Sequence, residues 1–112
     1  MKPEILPLPR FDWQPLPLEG CVNVEVRVLS RLPHLALAML RFAPYGTIHE
    51  HAADLEIDVV CLDGSGMTSL AGEAAPIRAG EWVRWPRGIR HRLWTAGSSM
   101  LTLMVEHHSP PA

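Results

Sequence analysis

The sequence contains few cysteines and no long apolar run. Its two cysteines, Cys21 and Cys61, form neither a C-x-x-C pair nor a dense disulfide framework, so we expect two free thiols in a reducing cytoplasm. No apolar stretch approaches the roughly 18 residues that suggest a membrane span. The N-terminus also lacks the long apolar core of a signal peptide. We therefore expect an intracellular protein with no membrane partner.

An excess of charge of one sign is also lacking. The 10 lysines and arginines nearly balance the 12 aspartates and glutamates, and the formal net charge is −2. Because phosphate binding needs a concentrated basic surface, this balance argues against nucleic acid as a partner. Five arginines do cluster, and we interpret them as strand faces and the rim of a pocket: Arg78, Arg84, Arg87, Arg90 and Arg92.

Several catalytic signatures are absent as well. The sequence has no Ser-His-Asp arrangement, no glycine-rich phosphate loop and no paired catalytic carboxylates. It contains no internal repeat and no low-complexity tract. At 112 residues the chain is long enough for one hydrophobic core and too short for two. These observations predict a single domain whose function depends on other residues.

Proline is concentrated near the N-terminus, at positions 3, 7, 9, 15 and 17. Because proline removes backbone donors, residues 1–20 are predicted to form an extended Pro-rich arm. Phe11 and Trp13 give the arm apolar anchors that could pack on its own domain or on a second subunit. The remaining chain is predicted to form one barrel domain over residues 21–108 and a frayed tail over 109–112.

The apolar patterns predict strands and no good helix. Val22, Val24 and Val26 alternate with polar residues, which is typical of a half-buried strand. Nine strands are predicted, at residues 22–29, 34–42, 47–51, 57–62, 67–70, 74–79, 81–85, 91–95 and 100–107. Turns are predicted at residues 44–46 and, as a hairpin, at 63–66. Strands this short and regularly spaced indicate a β-sandwich or a small barrel.

One stretch combines turn residues with a histidine at fixed spacing. Pro86 and Gly88 form a corner between two strand-like runs, and His91 enters the second run, where a strand would hold its imidazole. Four positions carry a resemblance to the second motif of the cupin family: Gly80, Pro86, Gly88 and His91. Thr95 stands where the family usually has asparagine. The resemblance implies an all-β, double-stranded β-helix barrel of the jelly-roll type.

The first cupin motif is matched more loosely, by Gly46, His49, His51, Glu56 and Gly64. Alternate residues of a strand share a face, so His49 and His51 are predicted to point the same way. The resemblance implies that these two histidines and His91 are metal ligands. It also implies that Glu56 is a fourth ligand or a catalytic general base.

The register of this first motif departs from the family pattern. Counted back from Gly64, the usual glutamate position falls on Ile57, so Glu56 is one residue out of register. A slip of one residue turns a side chain to the opposite face of a strand. A bulge before Glu56 would restore its carboxylate to the site.

Three interpretations stay open. In the first, the chain binds a divalent first-row metal (Mn, Fe, Ni or Zn) and acts on a small organic molecule as an oxygenase, isomerase or lyase. In the second, it is a degenerate cupin whose cavity binds or senses a small ligand without tight metal or catalysis. In the third, it is an unrelated β-sandwich with incidental histidines. Whether the chain is an enzyme is not decided by the sequence.

Other residues carry weaker signals. Trp82, Trp85 and Trp94 flank the second motif and are candidates to line a substrate pocket, with core packing as the alternative. Arg84 is a candidate to hold a substrate carboxylate, because guanidinium matches that group in bidentate geometry. The run 106–108 is predicted to be an exposed C-terminal end. A homodimer is expected, because a small barrel has edge strands that the arm could cover.

Overall fold

The computed structural model describes residues 1–108, and the predicted tail at 109–112 lies outside them. Eight strands, all paired antiparallel, make up the regular structure: β1 (Gln14–Pro15), β2 (Val22–Arg31), β3 (Leu35–His51), β4 (Glu56–Leu70), β5 (Glu73–Arg78), β6 (Trp82–Trp85), β7 (His91–Trp94) and β8 (Met100–His107). Within residues 1–108 there is no helix, and hence none that could cross a membrane. The all-β prediction is confirmed.

Two long strands run through positions at which the sequence predicted turns. β3 runs without interruption through residues 44–46, and β4 runs through 63–66, so the predicted hairpin at that second position is wrong. Tyr45 and Gly64 have φ values of 58° and 75°, which bend a strand without reversing it. The first part of β4 pairs with β6 and β8, and its second part pairs with β5 and β7. The bends therefore carry each long strand from one set of partners to the next.

Gly64 is required at its bend for a second reason. A Cβ at this position would lie 2.0 Å from the carbonyl oxygen of Ser99, which is far inside van der Waals contact. The glycine therefore lets β4 pass close to the turn that precedes β8. The sequence spacing assigns Gly64 to a hairpin turn. In the structure it lies inside a strand, at the position where β4 passes closest to Ser99.

The core lies between the strands, on the faces that they turn toward one another. It consists of Val24, Leu40, Phe42, Ile48, Ile57, Val59, Cys61, Ile77, Trp85, Leu93 and Met100. On β8 the buried Met100 and Thr102 alternate with partly exposed residues, so the period of two expected from the sequence is present. Each fully buried large apolar side chain contributes roughly 1.5–3 kcal/mol to the free energy of folding.

The N-terminal segment packs on the chain's own barrel. Gln14 pairs with Val26 of β2, and the preceding residues 1–13 form no helix or strand. The guanidinium carbon of Arg27 lies 4.8 Å from the ring centroid of Phe11 and 4.5 Å from that of Trp13. These cation–π contacts attach the segment to the outer face of β2. The division into an arm over 1–20 and a barrel over 21–108 stays a prediction.

Candidate functional site

A cavity of about 260 Å³ occupies one end of the barrel. Its walls are mainly apolar, and its lining comprises Leu16, Leu18, Val26, Val28, Ser30, Arg31, Ala36, Leu37, Ala38, Leu40, Ile48, His51, Ala53, Ile57, Trp85, His91, Met104 and Glu106. A wider groove of about 770 Å³ lies between Trp13 and Leu101, but no histidine lines it. Small-molecule sites are concave and mostly apolar with a few polar groups, which describes the first cavity.

His91 is the most deeply buried polar group of this cavity. It lies on β7, directly after the corner at Pro86 and Gly88, and its side chain is 1% exposed. By hydrogen-bond geometry neither of its ring nitrogens has a partner among residues 1–108, although the backbone of Ile89 lies close enough to oppose the lowering of its pKa. Buried polar atoms are normally paired, because an unpaired one costs about 1–3 kcal/mol. The two nitrogens are thus available to a bound group.

Trp85 fixes the plane of the His91 ring. The two rings stack with centroids 4.0 Å apart and planes inclined by 7°. Trp85 is itself held, because its indole N–H donates to the hydroxyl of Thr68 at 3.0 Å. That hydroxyl in turn donates to the carbonyl of Arg92. The backbone of β7 and the side chain of Thr68 therefore both restrict the orientation of the imidazole.

Burial controls the protonation of His91. Loss of hydration, with a smaller contribution from the nearby His51, lowers the pKa of His91 from 6.5 to about 4. The imidazole is therefore neutral at neutral pH. A neutral imidazole has one nitrogen that donates and one that accepts or binds a metal.

His51 lies beside His91 in the same cavity. The two residues are Cα partners on β3 and β7, and their ring centroids are 4.6 Å apart. The Nδ1 atom of His51 lies 2.9 Å from the carbonyl oxygen of His49. Because a carbonyl only accepts, this Nδ1 carries the proton, and in the neutral ring Nε2 is left with a free lone pair.

His49 lies outside the cavity lining. Between Ile48 and His51 the register of β3 with β7 shifts by one residue, which is a β-bulge. As a result Ile48 and His51 both line the cavity, while the side chain of His49 is exposed. Its ring packs against Gly20, where an added Cβ would lie 2.6 Å from Nδ1. The His49 ring centroid remains 5.7 Å from that of His51.

Glu56 is exposed, and the cavity wall at this point is formed by its neighbour Ile57. The register predicted from Gly64 is thus the one that the strand adopts, and no bulge brings the Glu56 carboxylate inward. Across residues 1–108, no group of three or more His, Cys, Asp or Glu side chains is arranged to hold a metal ion. His51 and His91 are brought together, and the other two candidate ligands are not.

The candidate substrate-binding residues are divided between the two faces of the sheet. Trp85 lines the cavity, whereas Trp82 is 60% exposed and Trp94 stacks under the guanidinium of Arg92. Arg84 points outward and makes two hydrogen bonds, of 2.9 and 3.1 Å, to Asp58. These bonds, with a further one from His107, hold the pKa of Asp58 below its usual value despite partial burial.

Sequence analysis missed three polar cavity residues, Ser30, Arg31 and Glu106. Glu106 lines the cavity from β8, although the run 106–108 was expected to be an exposed end. The signal for its orientation was present in the alternation of Met100, Thr102 and Met104, which places Glu106 on the same face. His107 accordingly points outward, where its Nε2 lies 2.7 Å from Asp58.

No protein-family model matches the sequence, and no curated relative matches it. Solved structures do match. The polyketide cyclase RemF from Streptomyces resistomycificus is 20% identical, with a TM-score of 0.84 over 99% of this chain and 83% of that one. A cupin-2 domain from Rhodospirillum rubrum is 15% identical, with a TM-score of 0.79 over 97% and 77%. KdgF from Halomonas sp. is 16% identical, with a TM-score of 0.74 over 88% and 89%. At such low identities the likeness concerns the fold.

Proposed function

We propose, from the premise that this chain has the cupin fold, that it binds a small, largely apolar organic molecule inside the barrel. His51 and His91 would be the groups that contact the polar part of the ligand. The observation that carries the proposal is the pair of unpaired ring nitrogens on His91, in a side chain that is 1% exposed. A bound ligand would satisfy these atoms and recover the cost of burying them.

The lining of the cavity supports a ligand of limited size. Its volume of about 260 Å³ is slightly below the range of about 300–1,000 Å³ that is usual for small-molecule sites. Aliphatic side chains form most of the wall, and the indole of Trp85 forms a flat part of it. These features favour a planar molecule of one or two rings.

Two kinds of turnover are compatible with this site, and both remain proposals. The first is proton transfer by His51, whose Nε2 carries a free lone pair, because an imidazole next to a ligand can act as a general base. His91, with its pKa of about 4, is a weaker base and would contribute a hydrogen bond. The similarity to a protein described as a polyketide cyclase supports an enzymatic role for the cavity. The second kind of turnover depends on a metal. Binding or sensing without reaction is the alternative.

Only part of the predicted set of metal ligands fits a metal site in this structure. His51 and His91 are the two residues that would hold a divalent first-row metal (Mn, Fe, Ni or Zn). Each of them has a ring nitrogen without a hydrogen-bond partner in the same cavity. His49 would join them only by turning its ring away from Gly20. The exposed carboxylate of Glu56 does not fit as a ligand or a catalytic base. A bound metal would supply Lewis-acid chemistry.

Blocking the cavity tests the main proposal. Ala53 lines the cavity from the loop between β3 and β4, while its neighbour Ala52 is exposed and does not. We expect 2-naphthol to quench the tryptophan fluorescence of the wild type in a saturable way. The Ala53→Phe variant should lose this binding at least tenfold, and Ala52→Phe should keep it. Equal binding by both variants, or none by the wild type, would reject the cavity as the ligand site.

Metal titration tests the second candidate separately. Protein prepared without a histidine tag is dialysed against Mn, Fe, Ni or Zn, and bound metal is measured by elemental analysis. If the candidate is right, the wild type retains near one equivalent, His51→Ala and His91→Ala lose it, and Glu56→Ala retains it. A wild type that retains none would reject the metal site and leave organic-ligand binding standing.

The assembly and location of the protein are further proposals. A homodimer is supported by the exposed side chains of Trp82 and Leu62, which are 60% and 46% accessible on the neighbouring strands β6 and β4. Light scattering at micromolar concentration measures the mass directly, and a monomer there contradicts the dimer. A cytoplasmic location is supported by the two free thiols of Cys21 and Cys61.

A further inference from the structure

The strand register sets five cavity-lining residues in one row across the barrel wall. Successive Cα partners run through Arg31, Ala36, Glu106, Ile57 and Trp85, on strands β2, β3, β8, β4 and β6. All five line the same cavity. Neighbouring strands are about 4.8 Å apart, so the backbones at Glu106 and Trp85 are separated by about 10 Å. The row therefore leads from the aromatic wall beside His91 to a carboxylate on the other side of Ile57.

Glu106 is the one acidic residue among those that line the cavity. Its side chain is half-buried, and within residues 1–108 it forms no hydrogen bond and no ion pair. Its immediate partners in the row, Ala36 and Ile57, offer no polar side chain. A carboxylate in such surroundings is an acceptor without a donor, and a ligand with a donor would gain a charge-assisted hydrogen bond there.

We infer that Glu106 selects the ligand, by requiring a hydroxyl or ammonium group at the end of the molecule away from the two histidines. The inference rests on the proposed function and adds the chemical class of the ligand: an apolar, planar molecule with a hydrogen-bond donor. It also predicts exclusion. A ligand that carries a carboxylate at this end meets like charge in a site of low polarity, and that repulsion is costly.

Arg31 is the group that could oppose this selection. It lies in the same row on the far side of Ala36, and its side chain is exposed at the mouth of the cavity. If Arg31 governed selectivity, an anionic ligand would be preferred to a neutral donor. The two residues therefore lead to opposite ligand preferences, and a single set of probes separates them.

The test uses three naphthalene probes that differ in one substituent: 2-naphthol, 2-methylnaphthalene and 2-naphthoate. Dissociation constants are measured at neutral pH for the wild type, Glu106→Gln and Glu56→Gln. Glu56→Gln is the matched control, because it removes the same charge one residue before Ile57, from a side chain that lies on the outer face of the barrel. We expect the wild type to bind 2-naphthol most tightly and 2-naphthoate most weakly.

The expected effects of Glu106→Gln have opposite signs. Binding of 2-naphthol should weaken about fivefold, because the acceptor loses its charge, and binding of 2-naphthoate should strengthen by a similar factor. Binding of 2-methylnaphthalene should be unchanged, and Glu56→Gln should match the wild type for all three. A variant that was merely misfolded would weaken all three probes together, so the opposite signs identify the role of Glu106.

Three results overturn the inference. If the probes bind inside the cavity but Glu106→Gln leaves their dissociation constants unchanged, Glu106 does not select the ligand, and cavity binding itself still stands. The same conclusion follows if the wild type prefers 2-naphthoate. If no probe binds the wild type, both this inference and the proposed function are rejected.

Discussion

The imidazole of His91 lies flat against the indole of Trp85, with ring centroids 4.0 Å apart and planes inclined by 7°. The two residues flank the turn at Pro86 to Gly88, so a short segment of chain supplies both the aromatic wall and the polar group of the cavity. Each ring is held from a different side, Trp85 by Thr68 and His91 by its strand. The site is thus ordered before any ligand arrives, which lowers the entropic cost of binding.

The hydrogen bond from Trp85 to Thr68 should make a measurable contribution to the free energy of unfolding. Thr68→Val keeps the shape of the side chain but leaves a buried indole N–H without its acceptor, which costs about 1–3 kcal/mol. We expect a lower denaturation midpoint for this variant and near-complete recovery in Thr68→Ser. Thr47→Val, which removes a weaker contact to Arg92 at 3.3 Å, should change the free energy of unfolding by about 0.5 kcal/mol or less. Equal effects of the two valine substitutions would contradict this account.

Stability should fall as the pH is lowered from about 6.5 to about 4. In the unfolded chain His91 takes up a proton near its ordinary pKa of 6.5, whereas in the folded chain burial holds its pKa at about 4. The unfolded state therefore binds more protons over this window, and the loss approaches about 3 kcal/mol at its acidic end. Urea denaturation at pH 7.5, 6 and 4.5 measures it.

A matched variant assigns that loss to His91. His91→Phe keeps an aromatic ring against Trp85 and removes the titrating group, so its stability should depend less on pH over the same interval. A wild-type stability that is constant from pH 7.5 to 4.5 would contradict the burial effect on His91.

Asp58 should affect stability in a different pH window. Its pKa is lowered chiefly by the hydrogen bonds from Arg84, so its contribution is present above the ordinary value of 3.8 and is lost as the pH falls through the lowered pKa. Asp58→Asn should cost about 1 kcal/mol at pH 7, a modest value because Arg84 is half-exposed. The exposed pair of Glu25 and Arg41 is the control, and Glu25→Gln should cost less. The reverse order in thermal melts would exclude a special role for Asp58.

The close approach at Gly64 predicts a large difference between two glycine substitutions. Gly64 and Gly80 both have positive φ, of 75° and 89°, but only Gly64 has a neighbour that an added Cβ would strike. Gly80→Ala should cost about 1–2 kcal/mol for the left-handed backbone alone. Gly64→Ala should cost roughly 3 kcal/mol or more, or prevent folding. Similar melting temperatures for the two variants would show that the approach to Ser99 is not tight.

The fold was largely predictable because its signals are local. The alternation of β2 and the corner at Pro86 and Gly88 identify strands and a turn within a few residues of sequence. The continuity of β3 and β4 was not predictable, because glycine near an Asp or a Pro signals a turn whether the chain reverses or only bends. Which of the two happens at Gly64 depends on Ser99, far along the chain.

The site was predictable in part for a similar reason. Trp85 lies in β6 and His91 in β7, and both strands are regular, so the sequence positions of the two residues determine their orientations. The bulge after Ile48 separates His49 from His51, and no pattern in the sequence specifies that bulge. Glu106 could have been found from the alternation along β8, but the run 106–108 was judged as a whole and, because successive strand residues face opposite ways, was assigned to an exposed end.

The most direct test of ligand binding at the two histidines is a nitrogen NMR spectrum of protein labelled with ¹⁵N-histidine, recorded at pH 7 with and without 2-naphthol. We expect His91 to show the shifts of a neutral ring, in keeping with its pKa of about 4, and both His51 and His91 to move saturably on titration. His34 and His108, which are exposed, should not move. A protonated His91, or a titration that leaves His51 and His91 unmoved, would contradict the proposed ligand site.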